Sequence, residues 1–152
     1  TPIEVLGTGA SAVEAGLVHN EHWATKVAAR QVYELTGVSP DEIDLFMCND
    51  FFLASEIVSA EECGYIPRGE AWKYAIDGRT AYDGDKPINP HGGRCNFGHA
   101  HGASGIADVY EAVKQMRGEA GATQMAKRPD TTFVRGFGGS QNVRCQILRA
   151  VR

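Results

Sequence analysis

Apolar residues fall along this chain in two rhythms. Ile3 to Thr8 is a short apolar run that reads as a strand, ended by a turn at Gly7-Thr8-Gly9. Trp23, Val27, Ala28, Val32 and Leu35 then recur at helical spacing, and Gly37 stops that helix. Ser39-Pro40-Asp41-Glu42 is a brief helix-start signature. Leu45-Phe46-Met47-Cys48 is continuously apolar, the mark of a strand buried on both faces, and it empties into Asn49-Asp50. Phe52 to Cys63 reads as a second helix closed by Gly64. Residues 66–87 carry Gly, Asp and charge with little periodicity, which predicts an irregular excursion. Ile106, Val109, Tyr110, Val113 and Met116 form an apolar stripe on a third helix. Thr131 to Val134 and Val143 to Leu148 read as strands separated by Gly136-Phe137-Gly138-Gly139.

Strands alternating with helices predict one α/β layered domain over residues 1–152. That length can bury a core of its own. A net charge of −4 argues against nucleic acid as a partner. The longest apolar runs are far too short for membrane insertion. Cys48, Cys63, Cys95 and Cys145 are widely spaced with no C-x-x-C, which predicts reduced thiols and a cytoplasmic location. Thr1 stands where a Met would begin a chain, so the sequence reads as a fragment, a processed product or a natural subunit.

Chemistry concentrates in the segment from Asn89 to Gly105, which packs five glycines and three histidines ahead of the third helix. A histidine at a helix N-terminus sits where negative charge is stabilised. Two readings stand for His99: an acid/base or oxyanion group, or a buried histidine satisfied by backbone. Asn49, at a strand end, is either a site residue or a helix cap. The pairs His99/His101 and His19/His22 lack carboxylates or cysteines at ligand spacing, so no metal is expected. Gly7-Thr8-Gly9-Ala10-Ser11-Ala12 does not complete a G-x-G-x-x-G nucleotide loop.

Three segments in register, from Val5 onward, resemble the thiolase superfamily. Asn49-Asp50-Phe51-Phe52 looks like the family's Asn-Glu-Ala-Phe or His-Asp-Cys-Phe box. Asn89-Pro90-x-Gly92-Gly93 with Gly98-His99-x-x-Gly102-Ala103-x-Gly105 looks like its histidine box. Gly136-Phe137-Gly138-Gly139-Ser140-Gln141 looks like its C-terminal glycine loop. Gly69-Glu70-Ala71 and Gln115-Met116-Arg117-Gly118 fit the lipid-transfer-protein-like, sterol-carrier branch. The resemblance covers the C-terminal half of a thiolase. It implies a layered βαβαβαββ half with a central mixed sheet covered by helices.

The resemblance further implies an acyl-CoA acyltransferase that cleaves or condenses 3-oxoacyl-CoA, with coenzyme A as the acyl carrier and no metal. The nucleophilic cysteine of such enzymes belongs to the N-terminal half, so this half alone is expected to be inactive. His99 would activate that cysteine and stabilise the thioester oxygen. Asn49 would hold a water in the same oxyanion hole, and Gly138 would contribute a backbone N–H to a second one. Gly136 stands where the family usually carries an acid/base cysteine, Phe51 where some relatives carry another, and Ala100 where a proline is usual. Cys95 is the remaining acid/base candidate. Arg68, Lys73 and Arg79 are candidates for the CoA phosphates, with solvated surface charge the alternative. Expected partners are the N-terminal half, a second copy or another subunit, and a small zinc-ribbon/OB-fold protein. Two other functions fit the same fold: a retro-aldol lyase on acyl-CoA, and a non-catalytic acyl-CoA-binding subunit.

Overall fold

The computed structural model describes residues 1–12, 20–138 and 142–151, with backbone alone for residues 20–23. His19, Gly139, Ser140 and Gln141 lie outside the described residues, as do the side chains of His22 and Trp23. The chain runs β1 (Ile3–Ser11), α1 (Asn20–Thr36), β2 (Leu45–Cys48), α2 (Leu53–Glu62), α3 (Ala71–Ile76), α4 (Gly93–Phe97), α5 (Gly102–Arg117), β3 (Thr131–Gly138) and β4 (Asn142–Ala150). The strands form a mixed four-stranded sheet in the order β1-β4-β3-β2. Its β2–β3 pair is parallel, and β3–β4 and β4–β1 are antiparallel.

Strand β2 shows why the sheet sits where it does. Side chains alternate across a strand. Phe46 and Cys48 therefore join the core under α1 and α2, and Leu45 and Met47 join the core under α5. Both faces being covered explains the unbroken apolar run. Phe46 stacks on Tyr65 at 5.2 Å and on Phe133 at 5.4 Å, which ties β2 to β3 and to the segment after α2. Among the described residues β2 also makes one isolated parallel bridge, between Phe46 and Ile88.

Three expectations are corrected. The Gly7-Thr8-Gly9 segment is not a turn: β1 continues through it to Ser11, with a bulge between Val5 and Gly7. Gly9 is there for close approach, because a Cβ on it would lie 2.1 Å from the Ala28 carbonyl oxygen of α1. Gly136 to Gly138 likewise do not separate two strands but complete β3, paired with β4 as far as Gly138–Asn142. The α5 stripe is only partly core. Met116 is buried and Val109 and Val113 pack on the second core, but Ile106 and Tyr110 are 76% and 60% exposed. Helix α5 packs chiefly on β3 and β2. Residues 66–87 fold into turns around α3.

Candidate functional site

Asn49 and His99 come together where β2 ends and α5 begins. Asn49 is 1% exposed. Its side-chain oxygen accepts the Phe51 N–H at 3.3 Å, which fixes the orientation of the amide. The amide nitrogen then donates to His99 Nδ1 at 3.2 Å. Ser104, in the first turn of α5, reaches back to the same atom at 2.9 Å. Its oxygen already accepts the Ala100 N–H at 3.0 Å, leaving the hydroxyl hydrogen for His99. Two donors at Nδ1 make that nitrogen the acceptor, so the neutral ring carries its proton on Nε2. The Phe51 ring stacks on the imidazole at 4.6 Å and 11°. Two donors set the tautomer, and the stacked Phe51 ring holds the plane of the imidazole.

Asp50 and Asn89 secure the surrounding loop. The Asp50 carboxylate accepts the Arg94 N–H at the start of α4. Gly93 makes room for it: a Cβ there would lie 1.9 Å from Asp50 Oδ2. Asn89 accepts the Cys48 N–H at 3.0 Å and donates to Glu56 at 3.1 Å, bolting the loop to β2 and α2. Burial pushes the Glu56 carboxyl up to about 7, only partly offset by the Asn89 bond.

A cavity of about 720 Å³ opens beside His99, between α5 and the sheet. His99, Gly102, Ile106, Gly136, Gly138 and Arg144 are among its walls. Gly138 and His99 both line this cavity. Asn49 stands behind the ring rather than in the wall. Cys95 is exposed on α4, does not line the cavity, and points its thiol at the Asp50 carbonyl 2.8 Å away. Slight desolvation against the loop, with the Asp50 and Glu56 carboxylates nearby, pushes that thiol up. Arg68, Lys73 and Arg79 sit in or beside the α3 segment, paired respectively with Glu62, Glu70 and Asp85. None of the three lines the cavity. Among the described residues no group of three or more His, Cys, Asp or Glu side chains converges as a metal site would, and no helix is long and apolar enough to cross a membrane.

Sequence reasoning missed the contacts that Ser104 and Phe51 make with His99. Ser104 carried a signal, since a serine in the first turn of a helix often bonds back to the residues before it. Phe51 was read only as a replaced cysteine position, because its stacking on His99 depends on how separate segments of the chain meet.

A family described as thiolase C-terminal domain-like matches residues 10–148. The chain belongs to this family. Among curated relatives of this thiolase half, an acetyl-CoA acetyltransferase of Methanothermobacter thermautotrophicus is 40% identical over 122 residues, covering 79% of this chain and 32% of the relative. The benzoylsuccinyl-CoA thiolase subunit BbsB of Thauera aromatica is 32% identical over 149 residues, covering 94% of this chain and 38% of the relative. Bovine sterol carrier protein 2 (Bos taurus) is 40% identical over 101 residues, 66% of this chain and 19% of the relative. The chain thus spans well under half the length of these relatives. A solved structure titled Ltp2-ChsH2(DUF35) aldolase overlays 97% of this thiolase half and 39% of its own chain, with a TM-score of 0.81 at 24% identity, which shows the shared fold.

Proposed function

We propose that this chain is the C-terminal catalytic half of an acyl-CoA acyltransferase acting on 3-oxoacyl-CoA. The observation that supports it best is the Asn49–His99–Ser104 arrangement, which presents a neutral Nε2–H donor at the edge of an open cavity. In thiolytic cleavage, a cysteine thiolate of the other half attacks the ketone carbon. The bond between that carbon and the α-carbon breaks, and its electron pair becomes an enolate on the thioester oxygen. His99 Nε2–H meets this charge as it develops, a contribution worth roughly 3 kcal/mol. Asn49 acts through the ring, by holding its tautomer, and so differs from the water-holding role the resemblance implies. The α-carbon takes a proton from an acid of the other half, since the Cys95 thiol is directed at Asp50. CoA thiol then returns a proton to the conjugate base of that acid and attacks the acyl carbon, the cysteine leaves as thiolate, and the Gly138 N–H stabilises this second tetrahedral oxyanion. Condensation runs the same steps in reverse.

The cavity has a further use in this reading. Gly102, Gly105, Gly136 and Gly138 and the exposed Ile106 are among its lining residues, so little side chain stands in the way of an entering element. We assign it to the nucleophile-bearing helix of the other half, which would bring the thiolate to His99. The half alone then performs no turnover, and assembly with that half or with partner subunits is required. Cytoplasmic residence belongs to the same reading, supported by four unpaired cysteines.

The test is incubation of the intact protein with a 3-oxoacyl-CoA and CoA. Acyl-CoA products and a cysteine-bound acyl group seen by mass spectrometry are expected, with His99→Ala lowering turnover by about 100- to 1000-fold. Unchanged turnover in His99→Ala overturns the reading. So does cleavage of a 3-hydroxyacyl-CoA without CoA consumption, which would identify a lyase.

A further inference from the structure

The His99 loop is short and bent. Residues 98–101 join α4 to α5, and His101 holds a left-handed φ of 44°, a conformation that costs a non-glycine residue energy. Something must fix the two helices for that bend to persist. Behind the loop, Arg94 of α4 and Asp108 of α5 are 8% and 1% exposed and lie 3.2 Å apart, Nε to Oδ1. The same guanidinium reaches His91 Nε2 at 3.0 Å through Nη2. His91 in turn stacks on Phe97, the last residue of α4, at 5.6 Å. None of Arg94, Asp108, His91 and Phe97 lines the cavity, so the chemistry described above leaves the cluster without a task.

We propose that Arg94 and Asp108 are positioning residues for His99: their buried ion pair locks α4 to α5 and so sets the span across which Nδ1 meets Asn49 and Ser104. Two observations support this. Ser104 lies one helical turn before Asp108 on α5, so any slip of α5 against α4 moves the Ser104 hydroxyl relative to the ring. Arg94 sits at the start of α4, where its own N–H is already pinned by Asp50, so the pair couples three segments: the β2–α2 connection, α4 and α5. Buried ion pairs are costly to desolvate, and holding segments in register is the best-attested use of such pairs. Burial pushes the Asp108 carboxyl up to about 6, against the pull of Arg94 and with Asp50 adding to the rise. His91 itself faces Arg94, Asp50, and Glu111 and Lys114 of α5, and burial lowers its affinity for a proton. Near neutral pH the brace is therefore an ionised Asp108 against a permanent cation.

The inference rests on His99 being the oxyanion donor, but its test does not depend on turnover. Imidazole nitrogen chemical shifts of His99, read by NMR on the intact protein at pH 8, report the tautomer directly. Wild type is expected to show the Nε2–H tautomer alone. Asp108→Asn and Arg94→Met, each removing one side of the pair, are expected to give a mixture of Nε2–H and Nδ1–H forms. Arg94→Lys, which keeps a cation beside Asp108, is expected to restore most of the single tautomer. Should one variant fail to fold, the other carries the test. A pair that only stabilises the fold would shift the unfolding midpoint and leave the tautomer of every folded variant unchanged, and that result overturns the proposal. An inactive wild type with a single Nε2–H tautomer would count against the acyltransferase reading and leave the brace standing.

Discussion

Asn49 and His99 lie fifty residues apart in the chain and share one hydrogen bond, from the Asn49 amide nitrogen to His99 Nδ1 at 3.2 Å. The direction of that bond matters more than its presence. Asn49→Asp keeps the size of the side chain but replaces the donor with an acceptor, which draws the ring proton to Nδ1 and leaves Nε2 with a lone pair. The expected result is a fall in kcat of about 100-fold, as for loss of an oxyanion donor. Asn49→Ala leaves Ser104 donating to Nδ1, so its loss is expected to be about tenfold. Steady-state kinetics of both variants, with circular dichroism to confirm the fold, check the ordering. Equal losses would show that the tautomer is not what Asn49 controls.

Gly93→Ala is expected to damage the site through its frame. The added Cβ would lie 1.9 Å from Asp50 Oδ2, at a φ of +64° that side chains rarely adopt. Asp50 cannot withdraw without uncapping Arg94 and the start of α4. Overpacking and a forced left-handed residue together are expected to cost about 3 kcal/mol. Urea unfolding measures it, with Gly69→Ala as the control: φ there is also positive, but no atom lies within 4 Å.

Legibility differed between elements for physical reasons. β2 was plain because two cores claim its four residues, leaving no polar position to confuse the pattern. α1 was plain because its buried face repeats at helical spacing. Gly9 was misread because glycine serves turns and close packing equally, and only the Ala28 carbonyl of a distant helix decides between them. The same ambiguity placed Gly136 to Gly138 outside β3. Motif spacing singled out Asn49, His99 and Gly138, but the hydrogen bonds that orient the ring come from Asn49 and Ser104, which lie on separate segments of the chain. Arg135 marks the limit. In the sequence it is one more charge, but it is fully buried in β3 and bonded to Thr25 of α1 and Ser55 of α2.

Glu56 makes stability depend on pH. Its carboxyl is raised from 4.5 to about 7, chiefly by burial. Between those values the folded state binds a proton that the unfolded state has released. Stability therefore falls as pH rises from about 4.5 to about 7, by as much as about 3 kcal/mol from this group, and then levels off. Glu56→Gln stays neutral and can still accept from Asn89. It is expected to lose this slope and to be more stable than wild type at pH 8. Urea midpoints of both proteins at pH 5 and pH 8 test the sign: a variant equally destabilised at both values would mean that Glu56 is folded as a comfortable carboxylate.

Ile106 separates folding from assembly. It is 76% exposed, it lines the cavity beside His99, and it belongs to neither core cluster. Replacing it with aspartate removes no buried contact of this chain, so the fold of the half is expected to change by less than about 0.5 kcal/mol. If a nucleophile-bearing helix occupies the cavity, the same carboxylate would be desolvated against it without a partner, at a cost of several kcal/mol. Ile106→Asp is therefore expected to leave this half folded while breaking its association with the other half and abolishing turnover together. Limited proteolysis reads the docking, and the rate of CoA-dependent cleavage reads the chemistry. If turnover and docking both survive, the cavity is not the helix seat. A raised KM with docking intact would instead make Ile106 part of the wall that meets the acyl chain.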